Sequence, residues 1–319
     1  MTADRDAPKP APAGKPAPAG KPAPVGTPGP AAKPGPAAKS ATAATRTATP
    51  AVPEPPPWWR TLRADPPFQI RVAIGIGLIA FIVVVWWVVT RGDAISAIVS
   101  PSKLPSPGAV VASVPSLKAN LGDGIVATLT RVFLGVLLAA VIGVVLGVFA
   151  GTNRMIGAAA APIVIFLRSI PMGALLPLML MLFATGEKQK IMFIFFAIVP
   201  FVFSDTVKAI SIVPERYVET AQTLGANNRQ ILRKVLVPLA LPDIITSLRF
   251  QFGLALGYVM LAEAIATPSG LGVMLNNNER MGNIEQNYAL LFIIALLAFL
   301  IDFVIRFFQR GVFQWRRDL

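Results

Sequence analysis

The chain has no cysteine and no histidine among its 319 residues. That excludes disulfides, thiol nucleophiles, imidazole bases, haem ligation and most zinc sites together, because each needs one of those two side chains. Charge is scarce as well: 14% of residues are Asp, Glu, Lys or Arg, against 54% that are hydrophobic. A soluble domain carries roughly a quarter charged residues, so this composition is that of an integral membrane protein. Barrel strands of about ten alternating residues are missing too, and the spanning elements are expected to be helices.

What is present divides the chain in two. Residues 1–57 form a Pro/Ala/Lys-rich tail in which Gly14-Lys15-Pro16-Ala17-Pro18-Ala19 recurs as Gly20-Lys21-Pro22-Ala23-Pro24-Val25. With little to bury and many missing backbone donors, the tail is expected to be extended, disordered and cytoplasmic. It lacks the apolar stretch of a signal peptide, so no cleavage is expected. Its lysines suit the headgroups of membrane lipids or plain solvation.

Residues 58–319 are expected to form a transmembrane domain with six spans, at 72–89, 125–150, 156–183, 191–206, 244–265 and 288–308. Trp58, Trp59, Trp86 and Trp87 flank the first span as an interfacial belt. Pro171 and Pro177 are expected to kink the third span or to divide off a short interfacial helix. Alternate loops differ in basic residues. Arg154, then Lys208, Arg216, Arg229, Arg233 and Lys234, then Arg310, Arg316 and Arg317 fall on one side, which the positive-inside rule makes cytoplasmic, with both termini. The net charge of +13 is therefore read as topology, and no nucleic-acid partner is expected.

Between the fourth and fifth spans lies a polar segment with signals of its own. Pro214 suits the first turn of a helix, Glu215 and Glu219 suit its positive end, and Val218, Ala221 and Leu224 share a face. Gly225 stands where a left-handed C-cap is needed, and Asn227 or Asn228 can cap a second helix bearing Ile231, Leu232 and Val235. Pro238 and Pro242 are expected to break the chain again before the fifth span. A helix-turn-helix of this kind also occurs in DNA-binding domains, but the basic residues here are already accounted for by topology. From the residues alone, the segment is a hairpin at the membrane surface, with a mere connector packed on the bundle as the alternative.

The hairpin carries Glu219-Thr220-Ala221, three residues, Gly225, nine residues, then Val235, Val237 and Pro238. This resembles the cytoplasmic signature of permease subunits of binding-protein-dependent ATP-binding cassette (ABC) importers, of the nitrate, sulfonate, taurine and bicarbonate type. Thr128-Leu129-Thr130-Arg131-Val132 with Gly135 and Gly143, Leu167-Arg168-Ser169-Ile170-Pro171 with Gly186-Glu187, and Ala262-Glu263-Ala264 with Ser269-Gly270-Leu271-Gly272 extend the resemblance over roughly 70–315. It implies an all-α membrane protein, a type I ABC importer-like bundle of about six transmembrane helices in a bacterial inner membrane. It also implies that 214–238 is a coupling-helix region, with Glu219, Ala221, Gly225 and Pro238 as its ATPase-coupling residues. The chain has no Gly-x-x-x-x-Gly-Lys-Ser/Thr loop. It is therefore expected to be a non-catalytic subunit without a cofactor, partnered by separate ATPase subunits, a second permease copy as a homodimer, and a periplasmic or lipid-anchored solute-binding protein.

Charges inside a membrane are costly and need a reason. Arg131, Arg168 and Glu263 coincide with family-like segments and are the candidate translocation-pathway residues, with ion pairing inside the bundle the competing explanation. Asp205, Asp302 and Arg306 are expected to snorkel or pair near the cytoplasmic ends. Neither Asp lies in the Gly-x-Gly-Asp setting of an aspartyl membrane protease. The competing functional classes are a secondary transporter driven by an ion gradient, whose site would need intramembrane titratable groups, and a scaffold recruiting partners through the Pro-rich tail.

Overall fold

The computed structural model describes residues 66–92, 98–265 and 267–315. The Pro-rich tail, Trp58, Trp59, Arg316 and Arg317 lie outside these. Among the described residues there are helices and no strands: α1 (Phe68–Val89), α2 (Pro107–Thr152), α3 (Arg154–Ser169), α4 (Met172–Phe183), α5 (Glu187–Ile212), α6 (Glu215–Thr223), α7 (Asn228–Ile231), α8 (Val237–Glu263), α9 (Leu271–Met281) and α10 (Ile284–Val312).

Helices α1, α2, α5 and α10 are each long and apolar enough to cross a bilayer, and α3 with α4 forms a fifth such unit, bent by 95°. Helix α8 has 27 residues, enough to span, but Asp243, Arg249 and Gln251 interrupt its apolar run. It tolerates them because it packs on α2, α5 and α10 inside the bundle.

Three expectations about the spans are corrected. Helix α2 starts 18 residues before the expected 125, because Ser106 caps it, accepting from the Ala109 amide at 3.3 Å, with Pro107 in its first turn. Pro171 does break the third span, with Ile170 held extended before it, whereas Pro177 lies inside α4 without ending it. Pro238 and Pro242 do not break the chain. The backbone stays helical from Asn228 to Glu263 through one wide turn, Leu232–Leu236, in which the Val237 amide donates to the Leu232 carbonyl five residues back. A π-turn of this kind lets a helix pass a residue that has no donor.

The core is the seam between α2 and α5. A Cβ on Gly135, Gly143, Gly147 or Gly151 would lie within 2.7 Å of Ile194, 2.9 Å of Val202, 2.6 Å of Thr206 and 2.9 Å of Ile210, respectively. Each partner stands 59 positions further on, so the two helices run parallel in constant register. Small residues every fourth position allow this backbone approach, the usual basis of tight helix association in lipid. Val132, Ile194, Ile198, Val202 and Val259 close the seam against α8.

Candidate functional site

Three polar groupings interrupt this apolar frame. The first is the hairpin. Helix α6 begins at Glu215, with Pro214 just outside it as the N-cap, so Glu215 is the acid of the first turn and Glu219 lies a turn further on. Glu219 therefore does not hold the helix start. Its exposed carboxylate makes no hydrogen bond or ion pair with the described residues.

The C-terminus of α6 is closed by a Schellman pair. The Ala226 amide donates to the Ala221 carbonyl at 3.0 Å and the Gly225 amide to the Gln222 carbonyl at 2.9 Å, with Gly225 at φ +78°. Asn227, not Asn228, then caps α7 in a reciprocal box with Gln230, both bonds at 2.9 Å. A glycine requirement and a capping box stand two residues apart, which gives the bend one backbone geometry.

The inner face of the hairpin, with Val218, Gln222, Ile231 and Leu236, closes a groove of about 470 Å³ against Phe149 and Ile156 at the α2–α3 turn. The outer face is different. Leu224 is 82% exposed and Tyr217 42% exposed, beside Arg216 and Glu219. Leu224 thus does not share the half-buried face of Val218 and Ala221, as the helical period alone predicts; it is the C-cap residue and is exposed.

The second grouping brings Arg131 and Glu263 together. Arg131 Nε and Nη2 donate to the two Glu187 oxygens, each at 2.6 Å, and Nη1 donates to Glu263 Oε1 and to the Ser269 carbonyl, each at 2.7 Å. Glu263, fully buried, also accepts from Thr128 Oγ1 at 2.9 Å and from the Gly272 amide at 2.9 Å, while Thr128 accepts from the Leu271 amide at 2.9 Å. A Cβ on Gly270, at φ +141°, would lie 2.5 Å from the Glu263 carboxylate. One guanidinium therefore ties α2, α5, α8 and the turn into α9 in a bidentate, charge-assisted net. Glu187, which the sequence names only beside Gly186 in the family-like segments, is its half-exposed arm.

The third grouping lies on the C-terminal half of α5. Arg168 is not brought near Arg131. It is exposed on α3, donates to Ser204 Oγ, and lies 4.6 Å from the Phe201 ring centre. One residue on, Asp205 does not snorkel to an exposed helix end. It is half-buried between α5 and α8, where Oδ2 accepts from Ser247 Oγ and, at 3.3 Å, from Gln251 Nε2. Asp302 and Arg306 pair with each other at 2.8 Å, and Asp302 also pairs with Arg249.

Comparison with known proteins agrees with this architecture. Residues 143–318, which include the whole hairpin, match the family model described as the binding-protein-dependent transport system inner membrane component. The chain is 31% identical to the taurine transport system permease protein of Escherichia coli over 82% of its own length and 96% of that protein's. It is 32% identical to the nitrate import permease protein of Synechocystis over 76% of its own length and 89% of that protein's. Among solved structures, the inward-facing MetNI methionine ABC transporter shares the fold, with a TM-score of 0.56 at 24% identity over 62% of this chain and 98% of the matched one. The chain belongs to the binding-protein-dependent transport system inner membrane components and is a multi-pass permease subunit of an ABC importer.

Proposed function

We propose that this permease, paired with a second copy of itself and with both termini in the cytoplasm, forms the path for a small anionic solute of the sulfonate, taurine or nitrate class. A solute-binding protein delivers the solute outside, and separate ATPase subunits drive the cycle through the hairpin at 214–238. The observation that carries this reading is the hairpin itself. Its bend is held by Gly225 and Asn227, its inner face lines the groove beside the α2–α3 turn, and its outer face presents Tyr217, Leu224 and an uncommitted Glu219. A capped helix pair transmits displacement rather than absorbing it, and its exposed apolar and charged outer face suits a protein partner. Ala221 and Pro238 serve the same lever. The Ala221 carbonyl takes the closing bond, and Pro238 imposes the wide turn that joins the hairpin to α8 without a break.

Within the path, the geometry supports different roles for the three charged candidates. Arg131 and Glu263 consume each other's hydrogen-bonding capacity and act as a clamp on its frame. Arg168 is exposed at membrane depth with a hydroxyl as its hydrogen-bond partner, so it faces water or the second copy rather than lipid, and it supplies potential for an anion. For the lever, Gly225→Val and Glu219→Lys are each expected to reach the membrane in normal amount yet lose at least about ten-fold of solute-stimulated ATP hydrolysis, some 1.4 kcal/mol of coupling. Both are measured in the reconstituted complex with its ATPase and binding protein. Unchanged stimulation in both variants refutes the reading.

A further inference from the structure

The groove of about 470 Å³ between the hairpin and the α2–α3 turn joins two chemistries. Phe149, Ile156 and Leu236 give it an apolar lining, while Asn153, Asn228 and Arg229 line it with donors, and none of its lining residues is Asp or Glu. Asn153 Oδ1 already accepts from the Met155 and Ile156 amides, which leaves its Nδ2 to donate. Arg229 is exposed and forms no ion pair among the described residues, and the same holds for Arg154, Arg233 and Lys234. From Asn227 to Pro238 there are three cations and no acid. The apolar lining does not stop at the hairpin. Val141, Val145 and Phe149, four residues apart along α2, are all exposed, so an apolar stripe runs from within the span to the groove.

We propose that this groove holds an anionic phospholipid of the cytoplasmic leaflet, with its phosphate at Arg229 and Asn153 and an acyl chain along Phe149, Val145 and Val141. A phosphate ester takes the donors and the uncompensated charge, and the chain covers an apolar track that water would otherwise meet. A protein loop seated in the groove has no reason to continue onto α2 within the span, whereas a lipid does so by its construction. The lipid also has a mechanical consequence. A hairpin separated from α2 and α3 by an open groove can move without pushing them, and filling the groove turns the gap into packed contact that passes the displacement on. The inference rests on the proposed lever at the cytoplasmic face and adds a lipid to its parts.

The test places the full-length permease with its ATPase in nanodiscs of phosphatidylcholine and phosphatidylglycerol and counts the lipids that each complex retains by native mass spectrometry. Phosphatidylglycerol is expected to be enriched at least about five-fold over its share of the bilayer, the effect of one cation beside an anionic headgroup. Arg229→Gln is expected to return the retained lipids to the bilayer ratio. Ile156→Asn, which alters the apolar lining and leaves every charge in place, is expected to lower the enrichment as well, and guards against a folding artefact of the first variant. Arg71→Gln removes an exposed cation outside the groove and is expected to leave the enrichment as it was. No enrichment in the unaltered complex overturns the site, and so does an equal fall in Arg229→Gln and Arg71→Gln, which reduces the effect to diffuse surface charge. Enrichment indifferent to both Arg229→Gln and Ile156→Asn puts the lipid elsewhere and also overturns it. Lipid retention is read without ATP, so the reading on which the site rests fails separately, when the Gly225 and Glu219 variants keep their stimulated ATP hydrolysis.

Discussion

The charged group around Arg131 and the charges at Arg168 and Asp205 differ in one respect, which is whether a charge meets its opposite. Around Arg131, nearly every donor meets an acceptor: two carboxylates, a carbonyl, a hydroxyl and a backbone amide close on one another at 2.6–2.9 Å. Arg168 and Asp205 meet only neutral hydrogen-bond partners among the described residues, Ser204 for the first and Ser247 with Gln251 for the second. A saturated net gains nothing by meeting a solute and loses much by breaking, so it holds four elements in place. An unsaturated one is stable only where water or a solute completes it.

The comparison is sharpest at the clamp. Arg131→Ala leaves Glu263 buried without its cation, and a loss of about 3–5 kcal/mol is expected, read as collapse of the melting temperature in detergent or of membrane yield. If Arg131→Ala melts like the wild type, the clamp is not structural. Next in size is Gly147→Leu, which drives a side chain into Thr206 across the α2–α5 seam, where even a Cβ comes within 2.6 Å; about 1–3 kcal/mol is expected by the same melt. Asn227→Ala removes the cap of α7 and is expected to cost about 1 kcal/mol locally, visible as faster amide exchange at 228–231. The smallest effect belongs to Glu187→Gln. The carboxylate is 56% exposed and the amide keeps one acceptor for Arg131, so a change within about 1 kcal/mol is expected. A Glu187→Gln melt as low as that of Arg131→Ala erases the distinction between the buried and exposed arms.

Much of the frame was legible in the residues. Apolar runs located the spans, and Gly225 and the Asn pair located the bend, because φ > 0 and free helix-end donors admit few side chains. Boundaries were less legible. Ser113, Lys118 and Asp123 hid the first half of α2 behind polar composition, although Ser106-Pro107 is a helix start. Pro171 and Pro177 look alike in sequence, and the context of each decided which one broke the helix. The residues alone place Asp205 near a helix end, to snorkel or pair there, since nothing local indicates that Ser247 and Gln251, over forty positions away, come to meet it.

Composition, charge bias and local backbone chemistry determined that this is a multi-spanning helical protein with a capped polar hairpin between two of its spans. These properties depend on each residue's own solvation and torsional limits. Which intramembrane charges neutralise one another was decided only by the fold, because Arg131, Glu187 and Glu263 are separated by tens of positions and acquire their meaning when α2, α5 and α8 converge. The same packing left Gln251 Oε1 buried without a donor among the described residues. Proximity in space, which the order of residues does not state, divides the charges that close on a counter-charge inside the bundle from those that meet only neutral partners among the described residues.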